Sequence, residues 1–369
     1  MTITIEQGNF DAFFACPFAI YPDDDVYASP FEGDLRRILD SARNPLFREP
    51  GTGTFFTARG AGGLCGRITA HVHRAANDTH GLKRGYFGFF DCRDDADTAR
   101  ALLGAAEAWV YEHGYSEIAG NFNLTAMQQL GVVVDGFGRE PYTDHIYSPP
   151  HVSRLLERVG YKSFFPMRTF EIDVGVGAAE QIREDALLAR LPERISLRSP
   201  SRIRLSRFMQ DARAVLNAGF VDNPMFVPLT AEEFDHQARE MRWIMDPDIS
   251  LVAYEADEPI AVVVCIPDLN PFLRRCRSRL TWRTPGAYLR SLMTRRRAVL
   301  LFMAVTPTRQ RQGIMAAMLD VLLSRLDRRG YTSLGVTWVA DENRASLRSL
   351  ERIGARTHHR LCLYRKDLH

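Results

Sequence analysis

A short loop lies between an apolar run and a predicted helix, in the sequence VTPTRQRQGIMAAML at residues 305–319, and few folds can accommodate this arrangement. Before it, AVLLFMAV is apolar, too short for a helix and soon followed by Pro307, which predicts a buried strand. After it, apolar residues recur at helical spacing as far as Gly330, which predicts an amphipathic helix. A glycine-containing turn at a helix start exposes successive backbone amides, and such a turn binds phosphate groups.

The elements on either side of this loop predict an α/β domain. Downstream, YTSLGVTWV is predicted to be a strand and ARTHHRLCLYRK the final strand. Between them, DENRASLRSLERIG is predicted to be a helix that Asp341 or Asn343 opens and Gly354 closes. Upstream, two predicted helices precede the hairpin SLVAYEADEPIAVVVCIPD, with its turn at 257–259.

The N-terminal half repeats much of this order, which indicates a duplication. It contains a predicted hairpin, strand, helix and strand between residues 51 and 120, and its LLERVGYK echoes the later SLERIGAR. A chain of 369 residues also suits two domains. The prediction is an α/β protein with two tandem domains, residues 1–175 and 201–369, each with a mixed, mostly antiparallel central sheet flanked by helices. We expect the connection at 176–200 to be helical.

Composition limits the class of protein. With 46% hydrophobic and 25% charged residues, the chain is typical of soluble folded proteins. No apolar run approaches the roughly 20 residues that span a bilayer, so we expect a cytoplasmic protein. The six cysteines form no C-x-x-C pair, so neither a zinc site nor a disulfide framework is predicted.

Positive charge is concentrated in one segment, although the net charge is only +2. Between Leu269 and Leu319 there is no Asp or Glu, and eleven arginines fall there: 274, 275, 277, 279, 283, 290, 295, 296, 297, 309 and 311. The segment could be a solvated insertion, or it could attract the phosphates of a bound ligand. Because Leu, Trp, Tyr and Met lie among the arginines, it could instead contact an anionic membrane or a long acyl chain carried on an acidic protein. No nucleic-acid motif is present, so a nucleic-acid partner is not expected.

The loop and the order of elements resemble the GNAT superfamily of acyl-CoA N-acyltransferases. The family loop is Arg/Gln-x-x-Gly-x-Gly/Ala, and the matching positions are Gln310, Arg311, Gln312, Gly313, Ile314 and Met315, followed by Ala316. The resemblance implies that these residues bind acyl-CoA together with Val305 and Asn343, although Asn343 is equally explained as a simple helix cap. Further motifs, such as GYFGFFDCRDD and YSPPHVSRLLERVGYK, resemble bacterial tandem-GNAT proteins, whose relatives include the proposed bacterial ceramide synthase.

The sequence departs from this family at two positions. Met315 stands where the loop has a small residue, and Leu350 stands where many relatives have a tyrosine that protonates the departing CoA thiolate. Leucine cannot supply a proton. In the N-terminal half the turn that corresponds to the loop is DCRDDADTAR, which is acidic and lacks glycine, so it should repel a pyrophosphate. We therefore expect one acyl-CoA site, in the second half.

The chemistry implied by the resemblance is direct transfer of an acyl group from acyl-CoA to an amine, without a metal and without a covalent enzyme intermediate. A group must accept a proton, and N–H groups near Ala304 or Val305 must stabilise the oxyanion. The strand AVLLFMAV contains no carboxylate, so the base must lie elsewhere or act through water. The candidates are Asp341, Glu342, Asp222, Asn223, Asp268, His145, Tyr147, His71 and His73.

The preferred substrates are a long-chain donor, carried on CoA or on an acyl carrier protein, and a primary amine of a lipid-like or amino-acid-derived small molecule. Such an enzyme would be cytoplasmic, with peripheral contact to the anionic inner membrane. Two alternatives remain open. One is an aminoacyl-tRNA-dependent transferase of tandem-GNAT type, and the other is a non-catalytic acyl-CoA-binding or membrane-associated protein.

Overall fold

The computed structural model of the chain describes residues 2–22, 26–40, 42–47, 52–175, 192, 194–201, 205–221, 223–237, 239 and 244–369. The strands are β1 (Thr4–Gln7), β2 (Gly53–Gly60), β3 (Gly63–His71), β4 (Arg84–Cys92), β5 (Glu117–Gly120), β6 (Val132–Asp135), β7 (Lys162–Asp173), β8 (Ile195–Arg198), β9 (Leu251–Glu255), β10 (Glu258–Pro267), β11 (Arg297–Val305), β12 (Ser333–Ala340) and β13 (Arg356–Asp367). The helices are α1 (Phe10–Ile20), α2 (Glu32–Leu39), α3 (Arg74–His80), α4 (Ala96–Glu112), α5 (Pro150–Arg158), α6 (Leu205–Gly219), α7 (Ala231–Gln237), α8 (Asn270–Arg275), α9 (Thr284–Thr294), α10 (Ile314–Arg328) and α11 (Arg344–Arg352).

The chain forms two compact units, of which unit 1 comprises Met1–Arg168, Asn270–Tyr288 and His359–His369. Its strands lie in the order β1-β2-β3-β4-β5-β13, with β6 also paired to β13. Neighbours are antiparallel except β4 and β5, which are parallel. Successive side chains of a strand point to opposite faces of a sheet. Accordingly Ile68 and Ala70 of β3 join the core beneath α4, whereas Phe55 and Phe89 pack against a second, aromatic core with α1 and α2.

Unit 2 comprises Thr169–Leu269 and Leu289–His358. Its strands lie in the order β8-β9-β10-β11-β12-β7. The pair β11–β12 is parallel, and the pairs from β8 to β11 are antiparallel. Helix α10 places Met318, Leu322 and Leu326 in the core of this unit at the i, i+4, i+8 spacing of one helical face.

The predicted fold class is confirmed, since the protein is α/β with a mixed, mostly antiparallel sheet flanked by helices. The strand before the loop, the helix after it and the following strand, helix and strand all form where the sequence predicts them. Two local expectations are wrong. Residues 195–198 of the connection form strand β8 on the edge beside β9, and the hairpin turn falls at Ala256 and Asp257, which both have positive φ. Most of the remaining connection lies outside the described residues.

None of the helices within the described part of the chain is long and apolar enough to cross a membrane.

Candidate functional site

The loop after β11 has the backbone geometry of an anion-binding turn. A single 3-10 turn at Pro307–Arg309 leads to Arg311 and Gly313, whose φ angles are +62° and +75°. Such angles strain residues with a side chain, so glycine suits position 313. Among the described residues, the amides of Arg311 to Ala316 have no backbone acceptor, whereas the amide of Ala317 bonds to the Gly313 oxygen at 3.1 Å. These amides are therefore available at the start of α10, where the helix dipole favours an anion.

Side chains of the loop hold this geometry and leave one positive charge available. Arg309 forms an ion pair with Glu255 at 2.5 Å, and the Gln310 amide donates to the Val305 oxygen at 3.4 Å. Gln312 donates to a backbone oxygen one turn earlier in the loop, at 3.3 Å. The exposed guanidinium of Arg311 has no carboxylate partner among the described residues. Arg311 can therefore add its charge to that of the amides.

Met315, which departs from the family pattern, packs against the core of unit 2 together with its buried neighbour Ile314. The departure is explained by packing, because the larger side chain fills apolar space beside the core. Ala316, the next residue, is exposed at the first turn of α10.

The two parallel strands beside the loop separate at their carboxyl ends. Residues 297–300 of β11 pair with 333–336 of β12, but β11 continues to Val305 and β12 to Ala340 without further pairs. On its other edge β11 skips Leu301 in the register with β10, which is a β-bulge. Ligands of open α/β sheets bind in crevices outside the carboxyl ends of the strands. The gap between β11 and β12 therefore lies where a ligand held by the loop would enter.

Backbone alternation shows which amides of β11 face this gap. The amide of Thr306 donates to the Ile260 oxygen at 2.9 Å, so the amides of Thr306 and Ala304 point toward β10. The amides of Met303 and Val305 then point to the opposite edge, toward the gap. Of the two positions predicted to stabilise an oxyanion, Val305 has its amide facing the gap and Ala304 has its amide facing β10. The amide of Met303 also faces the gap, and the oxyanion role of these amides remains a prediction.

The predicted residues after β12 lie at the same end of this strand pair. Asn343 caps α11, where its Oδ1 accepts from the Ser346 amide at 3.1 Å. The cap is thus observed, and a contact with acyl-CoA remains a prediction. Asp341 is half-buried and Glu342 is exposed. Leu350 is buried in the core of unit 2, so no hydroxyl is available at that position.

In unit 1, the corresponding helix start and strand amides are occupied by side chains of the chain itself. At the start of α4, Asp95 caps the helix by accepting from the Thr98 amide at 3.0 Å, and the hydrogen bond from the Thr98 hydroxyl lowers the pKa of Asp95. Pairing of β4 with β5 stops at Tyr86. Beyond it, the amides of Phe89 and Phe90 donate to the side chains of Asn123 and Asn121, at 2.7 and 3.1 Å. A carboxylate at the helix start and occupied strand amides disfavour acyl-CoA in this unit.

A buried polar cluster in unit 1 surrounds Asp91. One carboxylate oxygen accepts from the Tyr21 hydroxyl at 2.6 Å, and the other accepts from Arg67 Nε at 2.7 Å. Arg67 also donates to the Tyr27 hydroxyl at 2.8 Å and to the Phe13 oxygen at 3.0 Å. Burial raises the pKa of Tyr27 to about 12, which keeps its hydroxyl protonated. No sequence pattern pointed to this cluster, because its members are up to 70 residues apart.

The predicted residues His145 and Tyr147 lie beside this cluster. The ring of Tyr147 contacts those of Tyr21 and Tyr27 at centroid distances of 5.3 and 5.8 Å. Both His145 and Tyr147 line a small cavity of about 30 Å³, together with Arg67. That volume is roughly two water molecules. The predicted catalytic residues thus fall into two groups, Asp341 and Glu342 in unit 2, and His145 and Tyr147 in unit 1.

Of the other predicted candidates, Asp222 lies outside the described residues. Asp268 is buried and paired with Arg297 at 3.1 Å. His71 is fully buried, and burial lowers its pKa to about 4, so it stays neutral. His71 and His73 do not lie on one strand, because β3 ends at His71 and His73 is at the N-cap position of α3.

Asp144 is a candidate that the sequence analysis missed. Its residue adopts a positive φ of 68° in the turn before His145, and burial raises the pKa of its carboxyl to about 7. A carboxyl that titrates near neutral pH is suited to accept a proton. The sequence TDHIYSPP shows that an acid lies beside the histidine. The burial that raises the pKa of Asp144 depends on the residues that folding brings around it.

Within the described residues, no group of three or more His, Cys, Asp or Glu side chains could hold a metal ion.

Comparison with known proteins finds a family model that matches part of the second half. Residues 220–355 match the model of the acetyltransferase (GNAT) family. The matched residues include β11, the loop at 306–313, β12 and the capping Asn343. The open strand pair and the free amides therefore both lie in the region that is similar to GNAT acetyltransferases.

The similarity to known proteins also extends over the whole chain, including the residues before 220. Protein YghO of Escherichia coli K12 is 28% identical over 383 residues, covering 99% of this chain and 94% of the relative. The bacterial ceramide synthase of Caulobacter vibrioides is 24% identical, covering 96% of this chain and 94% of the relative. A tandem GNAT protein from the clavulanic acid biosynthesis pathway has a TM-score of 0.58 at 11% identity, with coverage of 100% and 99%. The predicted tandem GNAT fold is therefore confirmed.

Proposed function

We propose that the protein is an N-acyltransferase that moves an acyl group from acyl-CoA to a primary amine. The observation that carries the proposal is the row of free amides at 311–316, beside the gap between β11 and β12. A pyrophosphate would bind these amides, with Arg311 adding charge. The thioester arm of the same molecule would follow the free edge of β11. One acyl-CoA per chain is expected, because Asp95 occupies the corresponding helix start in unit 1.

The reaction would be a direct displacement at the thioester carbonyl. The neutral amine attacks the carbonyl carbon, and a carbon–nitrogen bond forms. The amides of Met303 and Val305 stabilise the oxyanion, since they face the gap. The carbon–sulfur bond then breaks and releases CoA as a thiolate. The amine proton passes to a base, and the thiolate takes its proton from solvent because Leu350 offers none.

The base that accepts the amine proton is proposed to be one of a few acidic or polar side chains. Asp341 and Glu342 follow β12 in unit 2, at the carboxyl end where the strand pair opens. His145 and Tyr147 remain candidates in unit 1, and the raised pKa of Asp144 adds that carboxyl to them. Asp222 remains a candidate on sequence grounds alone.

The proposed substrates are a long-chain acyl donor and a lipid-like or amino-acid-derived amine. The support is the similarity along the full chain to a protein named bacterial ceramide synthase. The donor could be carried on CoA or on an acyl carrier protein. We also propose a cytoplasmic location with peripheral contact to an anionic inner membrane, where lipid-like substrates are concentrated.

The test is turnover by the full chain with a panel of amines and acyl-CoA donors of increasing acyl-chain length. Release of the free CoA thiol measures the turnover. Gly313→Glu should abolish transfer, because it adds a negative charge and a strained side chain among the phosphate-binding amides. Gly330→Glu is the matched control, since Gly330 has a φ of +76°, faces open space and follows the other end of α10. Equal activity of the two variants would remove the proposal.

A second candidate is a non-catalytic acyl-CoA-binding protein. It is favoured by two observations, the absence of a carboxylate on β11 and the burial of Leu350 at the position of the family's tyrosine. Submicromolar CoA binding that depends on Gly313, without turnover of any amine, would support this candidate over the enzyme.

A further inference from the structure

Exposed apolar side chains are concentrated in one short segment of the arginine-rich region. The segment runs from Leu280 to Met293 and is called here the apolar segment. Within the described residues, five of the eight exposed large hydrophobic side chains lie in it. They are Leu280, Trp282, Leu289, Leu292 and Met293, and the exposed fractions of Trp282 and Met293 are 84% and 81%. A folded protein rarely presents so many apolar groups together without a binding role.

Helix α9 within this segment turns an apolar face outward. Thr284 is buried, and Ala287, Tyr288 and Ser291 are half-buried, so these positions form its inner face. Leu289, Leu292 and Met293 are exposed at the i, i+3, i+4 spacing of a single face. This is the reverse of an ordinary surface helix, which turns polar residues to solvent. The outward face is therefore suited to an apolar surrounding.

Buried contacts hold the residues that precede this face. Phe272 packs edge-on against Phe31 and Tyr288, at centroid distances of 5.8 and 5.5 Å. Ser278 is buried, and its hydroxyl donates to the Ser29 oxygen at 2.6 Å. Arg279 pairs with Glu32 at 3.0 Å. The chain is thus fixed on its inner side just before Leu280.

The charges around the apolar segment are positive and only partly neutralised. Arg275, Arg283 and Arg290 are exposed and have no carboxylate partner in the part of the chain that the structure describes. The Arg283 guanidinium lies over the Trp282 ring at 4.9 Å. No acidic residue occurs between Leu269 and Leu319 to offset them. The surface therefore combines cations with protruding apolar groups.

We propose that the apolar segment docks on an anionic lipid bilayer. Leu280, Trp282 and the outward face of α9 would enter the headgroup region, while Arg283 and Arg290 contact lipid phosphates. Tryptophan favours this interface, and a bilayer accommodates protruding side chains without matching their shape. A protein partner would have to match both the shape of these side chains and the positive charge around them. This surface gives a location to the membrane contact in the proposed function, but its test measures vesicle binding, so either proposal can fail without the other.

The test is sedimentation of the full-length protein with vesicles of phosphatidylglycerol and phosphatidylcholine, compared with vesicles of phosphatidylcholine alone. The wild type should bind the anionic vesicles and bind the neutral ones far more weakly. Trp282→Ser/Met293→Ser should lower vesicle affinity by about tenfold or more. Arg283→Gln/Arg290→Gln should lower it by about 30-fold, since each arginine near an anionic surface contributes about a fivefold gain.

Control variants are available outside the segment. Tyr111→Ser/Val221→Ser removes two other exposed hydrophobic side chains, and Arg348→Gln/Arg352→Gln removes two exposed charges from α11. Both should bind vesicles like the wild type. Circular dichroism and thermal unfolding of all variants check that they are folded.

Three outcomes would overturn the proposal. The first is equal sedimentation of the wild type and the Trp282→Ser/Met293→Ser variant. The second is wild-type self-association that this variant abolishes, without any vesicle binding, which would assign the face to a second copy of the chain. The third is binding of an acidic acyl carrier protein that depends on Arg283 and Arg290, again without vesicle binding.

Discussion

Replacement of Arg67 by methionine tests the buried cluster of unit 1 most severely. The Arg67 side chain is 1% exposed and forms a hydrogen-bonded ion pair with Asp91, whose side chain is 8% exposed. Arg67→Met removes the cation and the donors to Asp91, Tyr27 and Phe13. The change leaves the Asp91 carboxylate with only the Tyr21 hydroxyl of these partners. An uncompensated buried charge is then the main cost.

The expected loss is about 3–5 kcal/mol in the free energy of unfolding, the range found when one partner of a buried pair is removed. Urea unfolding followed by circular dichroism measures it. Arg67→Met/Asp91→Leu should recover at least about 1 kcal/mol, because it removes the orphaned charge as well. Arg100→Met is the control, since Arg100 and Asp97 are 60% and 66% exposed in their ion pair, and a loss below about 1 kcal/mol is expected.

A loss below about 1 kcal/mol for Arg67→Met would instead mean that Asp91 is hydrated or finds another partner in the folded chain. The same conclusion would follow if the double variant were less stable than the single one.

Three further perturbations have defined outcomes. Gly88→Ala should lower the free energy of unfolding by about 3 kcal/mol or more, because its Cβ would overlap the Phe122 oxygen. Gly104→Ala in α4 meets no atom and should raise this free energy by up to about 1 kcal/mol, and urea unfolding measures both. The raised pKa of Asp144 means that the folded chain binds more protons than the unfolded one between about pH 4 and 7. The contribution of Asp144 to the free energy of unfolding is therefore most favourable below this window and declines as pH rises through it. Asp144→Asn should remove this decline, a gain of about 1–2 kcal/mol at pH 8 for a half-buried carboxyl, and an unchanged pH–stability curve would count against it. Asn343→Ala should cost about 1 kcal/mol through the lost cap, whereas Asn343→Asp should keep stability and lower CoA affinity about tenfold by calorimetry if the amide also contacts the ligand.

Local sequence signals were sufficient for the elements around the site. The apolar run before Pro307, the helical spacing after Gly313 and the cap at Asn343 each depend on neighbours a few residues away. The acidic turn near Asp95 likewise indicated that the first half would not hold an anion at the start of α4, and the structure shows the Asp95 carboxylate in that place. These features follow from backbone chemistry that the sequence carries directly.

Features that depend on distant contacts were not predictable from the sequence. The cluster of Asp91, Arg67 and Tyr21 joins residues 24 and 70 positions apart, and no periodicity connects them. Helix α1, FDAFFACPFAI, is apolar except for Asp11 and contains Pro17, so it lacks the pattern of an amphipathic helix. The raised pKa of Asp144 reflects burial, which only the folded chain defines.

Exposure was the other property that the sequence left open. The arginine-rich segment could have been a solvated insertion or an attractor of phosphates. Among the described residues, several arginines of the segment pair with carboxylates from outside it: Arg274 with Glu140, Arg279 with Glu32, Arg295 with Asp246, Arg297 with Asp268, and Arg309 with Glu255. Its apolar residues divide into a buried set around Phe272 and an exposed set around Trp282. Composition alone could not separate the two sets.

We propose that the free amides around Gly313 bind the pyrophosphate of a single acyl-CoA per chain. Isothermal titration calorimetry of CoA into the wild type and the Gly313→Glu variant measures this binding, with Gly330→Glu as the control for strain and charge. We expect one site in the wild type and in Gly330→Glu, and no measurable binding to Gly313→Glu. Retained affinity in Gly313→Glu, or two equivalent sites in the wild type, would show that these amides do not hold the pyrophosphate.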